Sequence, residues 1–237
     1  MSELIDHIRQ SVVGARIPIK TPFGLKPLVY ADYTASGRSL SFIEDYIRYH
    51  VLPCYANTHT ESTFSGAQTT ALREQARQEI RKAVNGTDED MVIFCGSGAT
   101  SAVDKLVDIL GLRIPRDLDD RYQLLERIPE DERPVVFVGP YEHHSNELPW
   151  RETIAQVVQI PLASDGQLCV RTLQQELARY ALRPMKIVSF AAASTVTRLK
   201  SDLIAITRTL KENGALSFWD YAAAGPYVGI DLNSDWP

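Results

Sequence analysis

A short run of small and hydroxyl-bearing residues, CGSGAT at positions 95–100, lies between an apolar segment and an amphipathic one. Small residues leave main-chain N–H groups accessible at the start of a helix, where they and the helix dipole favour an anion. The dipole contributes only about 1 kcal/mol, so a phosphate would also need the hydroxyl groups of Ser97 and Thr100. A tight strand-to-helix turn with a serine cap explains the same residues. The run lacks the GK[ST] ending of a P-loop.

Two adjacent histidines, His143 and His144, follow an apolar run at residues 135–138. A histidine at the end of a strand can present a flat ring to a cofactor or act as a base. Because adjacent side chains point in different directions in most backbones, we do not expect the pair to share one metal ion, and the sequence predicts no metal site. A solvated or hydrogen-bonded histidine pair is the structural alternative.

A carboxylate, Asp220, ends another apolar run at residues 216–219. It could pair with the protonated nitrogen of a heterocycle and keep that ring an electron sink. Raising the nitrogen's pKa by about 2 units requires about 2.7 kcal/mol. A contact of about 3 Å supplies roughly 5 kcal/mol at an effective dielectric constant of about 20. One aspartate therefore suffices, although capping of the next turn would equally account for it.

The order of these three features is more informative than any one of them. An anion turn, a histidine and a carboxylate each follow a predicted strand. In a parallel sheet the carboxyl ends of the strands share one edge, where ligands bind. The order therefore predicts that Thr100, His143 and Asp220 converge on one flat, phosphorylated, basic heterocycle.

The elements that must position these residues alternate between strand and helix patterns. Strand-like runs occupy residues 91–94, 135–138, 157–160, 186–190 and 216–219. Helical spacing recurs at residues 72–84, 102–110, 173–177 and 203–210. This alternation predicts a three-layer α/β/α fold with a mostly parallel sheet.

Local signals mark the helix boundaries. Thr172 and Gln175 match a capping box. Residues 201–202 and 213–214 (SD and NG) mark the start and end of the last helix, and Asn85-Gly86 marks an earlier end. The charged segment 113–133 contains two prolines and no clear period, so we interpret it as a surface excursion.

Composition limits the classes of function. The chain has 237 residues and a net charge of -5, which argues against a nucleic-acid or anionic-membrane surface. No run is long and apolar enough to span a bilayer, and the N-terminus does not resemble a secretory signal. The three cysteines form no CxxC pattern. They are expected to be reduced thiols in a cytoplasmic protein.

Taken together, these segments resemble the class V aminotransferase group of fold-type I pyridoxal 5'-phosphate enzymes, most closely its cysteine desulfurase and selenocysteine lyase branch. The resemblance runs from about residue 28 to residue 231, and EHHSNELPW at residues 142–150 is its most specific part. It implies that Gly98, Ala99 and Thr100 bind the phosphate. It also implies that His143 stacks on the ring and moves protons, and that Asp220 pairs with the ring nitrogen.

The resemblance extends to two loops near the substrate and shows two departures. Residues 30–36 and 56–59 resemble the family's substrate loops, which implies roles for Ala35, Asn57 and His59. Thr195 stands where relatives usually carry an asparagine that contacts the ring hydroxyl or the substrate. Ala223 stands where desulfurases commonly carry a glutamine.

The family's Schiff-base lysine follows the aspartate strand, and no lysine follows Asp220 here. We therefore expect residues 1–27 to form an N-terminal helix and extended segment, and residues 28–237 to form an incomplete large domain. The expected whole protein is a homodimeric transferase or lyase that acts on an amino acid. The alternative is a catalytically inactive fold that binds the cofactor weakly or binds only a partner chain.

Overall fold

The computed structural model describes residues 2–233. These residues divide into two compact units, with the boundary between Val92 and Ile93. No helix within residues 2–233 is long and apolar enough to cross a membrane. The domain boundary expected after residue 27 remains a prediction.

The first unit is mainly helical. Its long helix, α3, begins after Thr63, whose hydroxyl oxygen accepts a hydrogen bond from the Gly66 main-chain N–H at 3.2 Å. The helix ends before Asn85, which adopts a left-handed φ of 53°, so the predicted Asn85-Gly86 stop is confirmed. The elements of this unit are α1 (Ser2–Ser11), β1 (Pro18–Thr21), β2 (Gly24–Pro27), α2 (Ser41–Tyr46), a π-helical segment (Ile47–Val51), a 3-10 turn (Leu52–Cys54) and α3 (Phe64–Ala83).

The second unit contains a four-stranded sheet in which every described pairing is parallel. Its strands are β3 (Val135–Val138), β4 (Gln156–Gln159), β5 (Lys186–Ala191) and β6 (Leu216–Asp220), in the spatial order β4-β3-β5-β6. Its helices are α4 (Ala99–Ile109), α5 (Arg116–Tyr122), α6 (His144–Arg151), α7 (Val170–Arg179) and α8 (Leu203–Glu212). The predicted parallel α/β architecture is confirmed.

Helices cover both faces of the sheet because successive strand residues point to opposite sides. On one face, Val135 and Phe137 of β3 pack with Leu173 of α7 and Leu210 of α8. On the other face, the remaining β3 residues pack with helices α4 and α6; this cluster includes Val103, Val107, Val136, Val138 and Trp150. These two cores give the three layers and fix the starts of α4 and α6 on one side of the sheet.

The strand predicted at residues 91–94 is absent from the structure, so this prediction was wrong. The segment is irregular, and Met91, Ile93 and Phe94 are 78%, 55% and 49% exposed. An apolar run becomes a strand only when a neighbouring strand satisfies its main-chain groups and covers its side chains. No strand pairs with this segment among the described residues.

The capping box predicted at Thr172 was also wrong. Helix α7 begins at Val170 with Cys169 as its N-cap, so Thr172 lies inside the first turn. Its hydroxyl group donates to the Cys169 sulfur at 3.1 Å. Because the Leu173 N–H already donates to the Cys169 carbonyl oxygen at 3.0 Å, the helix starts three residues earlier than the pattern indicated.

The predicted start and end of the last helix, α8, are confirmed. Asp202 is the N-cap of α8, and its carboxylate accepts a hydrogen bond from the Ala205 N–H at 3.0 Å. Asn213 ends the same helix, as predicted. Segment 113–133 lies mostly on the surface, as expected, although it contains the short helix α5 and two 3-10 turns.

Candidate functional site

The start of helix α4 is open. Its N-cap residue is Gly98, which has a φ of 91°, a conformation that glycine adopts at little cost. No side chain caps the helix, and a Cβ atom built on Gly98 would meet no atom within 4 Å. The first main-chain N–H groups, from Ala99 and Thr100 onward, therefore face space that an anion could occupy.

The start of helix α6, in contrast, is closed by a histidine. His143 is the N-cap, and its Nδ1 atom accepts a hydrogen bond from the Ser145 N–H at 3.2 Å. The Ser145 hydroxyl oxygen lies 2.6 Å from the same nitrogen. Because a main-chain N–H can only donate, Nδ1 is the acceptor, and the neutral ring carries its proton on Nε2. The ring is exposed.

Thr100 and His143 line one cleft within the second unit. The cleft has a volume of about 620 Å³, which falls within the range of small-molecule sites. Its remaining walls come from α4, from α6 and its C-cap, and from the chain that leads into α5; they are Asp104, Arg113, Ile114, Pro115, Arg116, His144, Ser145, Leu148, Pro149 and Glu152. The structure thus brings together two of the three residues that the sequence predicted to converge.

Asp220 ends β6 at the same carboxyl edge of the sheet. It pairs in register with Ala191, the last residue of β5, but it is not among the residues that line the cleft. One carboxylate oxygen, Oδ1, accepts a hydrogen bond from the Ala222 N–H at 2.8 Å. The side chain is half-buried, so its charge is partly shielded from solvent.

Glu142 links the turn that bears His143 to the end of β5, next to Asp220. No role for this residue was predicted from the sequence. Its Oε1 atom accepts a hydrogen bond from the Ala191 N–H at 2.9 Å, and its Oε2 atom accepts one from the Asn146 side-chain amide at 2.7 Å. Asn146 in turn accepts a hydrogen bond from the Ser189 hydroxyl at 2.6 Å. Asn146 and Ser189 are each only 2% exposed. The residue before His143 is therefore fastened to β5.

Burial raises the pKa of the Glu142 carboxyl group from 4.5 to about 7. The negative charge of Asp220 raises this pKa further, whereas the N–H groups of Ala191, Asn146 and Gly139 lower it. Loss of hydration outweighs these donors because most of the carboxyl group is removed from water. A signal was present in the sequence: a charged residue four positions after a buried strand and directly before the histidine.

Thr195 and Ala223 lie in turns that follow β5 and β6. The turn around Thr195 is closed by an isolated bridge between Ala193 and Lys200. It is tightened by the Ser194 hydroxyl oxygen, which accepts hydrogen bonds from the main chain two and three residues later. Thr195 itself is half-buried, and its contact with a cofactor or substrate remains a prediction.

Asn57 and His59 lie on an exposed loop of the first unit. Helix α3 holds this loop: the Thr70 hydroxyl donates to the Thr58 carbonyl oxygen, and the Arg73 guanidinium donates to the Thr58 hydroxyl oxygen, both at 2.6 Å. The substrate roles expected for Asn57 and His59 remain predictions.

Ala35 is exposed in a turn of the same unit. The Tyr30 hydroxyl donates to the Ser36 carbonyl oxygen at 2.7 Å and thereby closes this turn. A substrate contact of Ala35 is likewise a prediction.

Known relatives match nearly the whole chain. The family described as Aminotransferase class-V matches residues 29–234. A probable cysteine desulfurase of Streptomyces coelicolor is 26% identical over 211 residues, which is 87% of this chain and 47% of that protein. A probable cysteine desulfurase of Vibrio cholerae is 25% identical over 212 residues, covering 88% of this chain and 48% of that protein.

Solved structures share the fold. The apo structure of the cysteine desulfurase from Thermococcus onnurineus NA1 gives a TM-score of 0.69 at 16% identity, covering 96% of this chain and 50% of that one. A NifS-like protein from Rickettsia africae gives 0.67 at 18% identity, covering 86% and 51%. The chain therefore spans about half the length of these relatives. With the family match across residues 29–234, this places the chain in the class V aminotransferase family, with the fold of the cysteine desulfurases.

Proposed function

We propose that the second unit carries the pyridoxal 5'-phosphate site of an enzyme that acts on an amino acid. The observation that carries this proposal is the shared cleft, in which Thr100 at the open start of α4 and His143 face the same space. The relatives named above are described as cysteine desulfurases, which supports desulfuration or a related lyase or transferase reaction of the whole protein.

The donor set fits this cofactor. The uncapped N–H groups that follow Gly98, together with the Thr100 hydroxyl group, suit a phosphate. The exposed His143 ring provides a flat surface. The Oδ2 atom of Asp220 has no hydrogen-bond partner among the described residues, so it can accept from a protonated ring nitrogen. When bound, the cofactor supplies the electron sink.

His143 would hold a proton at a defined atom. Because Ser145 occupies Nδ1, only Nε2 can exchange a proton with a substrate. The helix cap also fixes the direction of the ring, so the imidazole needs little reorganisation when it acts. His143 is accordingly the catalytic candidate, and Thr195 is a further candidate contact.

We further propose that the intact protein is a homodimer that works in the cytoplasm. Cys54, Cys95 and Cys169 are free thiols, which is the state expected in a reducing compartment. Neither the structure nor the relatives favour the alternative of a catalytically inactive fold.

Titration of the chain with pyridoxal 5'-phosphate, followed by the cofactor's absorption spectrum, tests the proposal. We expect saturable binding that weakens about fivefold in Thr100→Val, because one hydroxyl hydrogen bond to a charged group is lost. Thr207→Val on helix α8 is the matched control and should bind as the unchanged chain does. Equal affinity of both variants would contradict the proposed phosphate site.

The covalent state can be tested separately by borohydride reduction. Lys186 and Lys200 precede Asp220, and no lysine follows it in this sequence. We expect reduction of the complex to fix cofactor on no single residue, as judged by peptide mass spectrometry. Stoichiometric labelling of one lysine would show instead that this chain supplies the Schiff base.

A further inference from the structure

A half-buried carboxyl group, that of Glu142, lies next in the chain to His143 of the proposed site. Glu142 precedes His143, and donors from two elements converge on its carboxyl group: the main-chain N–H of Ala191 and the side-chain amide of Asn146. Ala191 ends β5, and Asn146 lies in the first turn of α6. The carboxyl group is therefore the common acceptor of the end of β5 and the first turn of α6.

Gly139 makes this arrangement possible. A Cβ atom at residue 139 would overlap the Glu142 carboxylate, so any larger residue would displace the side chain. Gly139 follows β3 directly, and its lack of a side chain lets the carboxyl group reach across to β5. The close approach thus depends on two residues that lie three positions apart in one turn.

Asp220 provides the electrostatic neighbour. Its charge reaches the Glu142 carboxyl group from β6, because Asp220 pairs with the same Ala191 whose N–H donates to Glu142. From β5 and α6, the groups that face Glu142 are the neutral donors of Ala191 and Asn146. Two carboxyl groups thus share the edge of the sheet where a cationic ring nitrogen would lie.

We propose that Glu142 is a positioning residue of the site: it fastens the segment that bears His143 to the end of β5, and its charge adds to that of Asp220 in attracting a cationic ring nitrogen. This inference rests on the proposed cofactor site. When Glu142 is ionised, the edge carries two negative charges; when it is protonated, Asp220 acts alone. Fastening of the segment does not require the charge, whereas the added attraction does.

The first experiment uses the cofactor-free chain, so its outcome is independent of the proposed function. The main-chain N–H signal of Ala191 is followed by NMR between pH 5.5 and 8.5. We expect an inflection near pH 7, because this N–H donates directly to the titrating group. The inflection should vanish in Glu142→Gln and persist in Glu79→Gln, an exposed glutamate on α3. An Ala191 signal without an inflection would overturn the inference.

The second experiment measures cofactor affinity. We expect Glu142→Ala to weaken binding about tenfold at both pH 6 and pH 8, because the segment that bears His143 loses its attachment. Glu142→Gln keeps one acceptor oxygen, so it should bind like the unchanged chain at pH 6 and about threefold more weakly at pH 8. A thermal melt checks that each variant is folded.

The possible outcomes separate the two proposals. If the unchanged chain binds no pyridoxal phosphate while the Ala191 inflection is present, the proposed function fails and the attachment by Glu142 stands. If the unchanged chain binds the cofactor and both Glu142 variants bind equally well at both pH values, the positioning role is wrong. A purely structural role would weaken binding in Glu142→Ala alone and leave Glu142→Gln like the unchanged chain at both pH values, and this result would overturn the electrostatic part.

Discussion

Two helices, α4 and α6, begin at the same edge of the sheet, yet their first turns are built in opposite ways. Gly98 leaves the start of α4 uncapped and open, whereas His143 caps α6 and Glu142 anchors it to β5. A helix start binds a ligand only where the protein leaves its donors unused. The open turn therefore suits the recognition of an anion, and the closed turn suits the fixed placement of a ring.

The largest effect on stability is expected at the start of α6, where Asn146 joins Glu142 to Ser189. Asn146→Ala removes the amide that donates to Glu142 and accepts from Ser189, and so leaves the buried Ser189 hydroxyl group and one oxygen of the half-buried Glu142 carboxyl group without these partners. We expect the free energy of unfolding to fall by about 4 kcal/mol, measured by urea denaturation. Gln175→Ala, on the exposed side of α7, is the matched control and should change it by less than about 0.5 kcal/mol. Similar small effects in both variants would show that the network contributes little.

The next prediction concerns pH. Because the pKa of Glu142 rises from 4.5 to about 7 on folding, the folded state holds this proton more tightly than the unfolded state. The group therefore opposes folding least below pH 4.5; its cost grows as the pH rises from 4.5 to about 7 and levels off above that. At about 1.36 kcal/mol for each pKa unit, this rise corresponds to at most about 3.4 kcal/mol, because solvent screens part of the half-buried side chain.

Glu142→Gln isolates this contribution. The variant cannot ionise, and the Asn146 amide can turn over to match it because the Ser189 hydroxyl can donate or accept. We expect the stability of the variant relative to the unchanged chain to increase by about 2 kcal/mol between pH 5 and pH 8, measured by urea denaturation at each pH. A difference that stays constant over this range would contradict a titrating Glu142.

The sequence predicted the closed turn only in part. Strands β3 to β6 were recognisable because each contains a run of apolar residues, of which those of β3 and β5 are buried. His143 was recognisable because it follows β3. The role of Glu142 depends on Ala191 and Asp220, which lie 49 and 78 positions later in the chain. A contact across such distances leaves no periodic pattern in the sequence.

The strand predicted at residues 91–94 failed for a different reason: its local sequence pattern was present, but within residues 2–233 it has no partner strand. Its composition resembles that of β3, but β3 lies between two neighbouring strands and is fully buried. No strand pairs with residues 91–94 among the described residues, and Met91, Ile93 and Phe94 remain exposed. An apolar, β-branched composition makes a segment suitable for a strand, but the strand forms only where a neighbouring strand pairs with it.

The smallest predicted effect compares the two helix starts directly. Inorganic phosphate added to the chain should shift the main-chain N–H signals of Ala99 and Thr100, since no side chain caps these groups. The signal of Ser145 should not move, because its N–H already donates to His143. A single helix start binds phosphate weakly, so the shifts should saturate only at millimolar concentrations, on the order of 4 kcal/mol of binding free energy. Equal shifts at both helix starts would show that the anion displaces the histidine cap of α6. The two helix starts would then differ only in how strongly they bind phosphate, since the anion could reach the main-chain donors of either one.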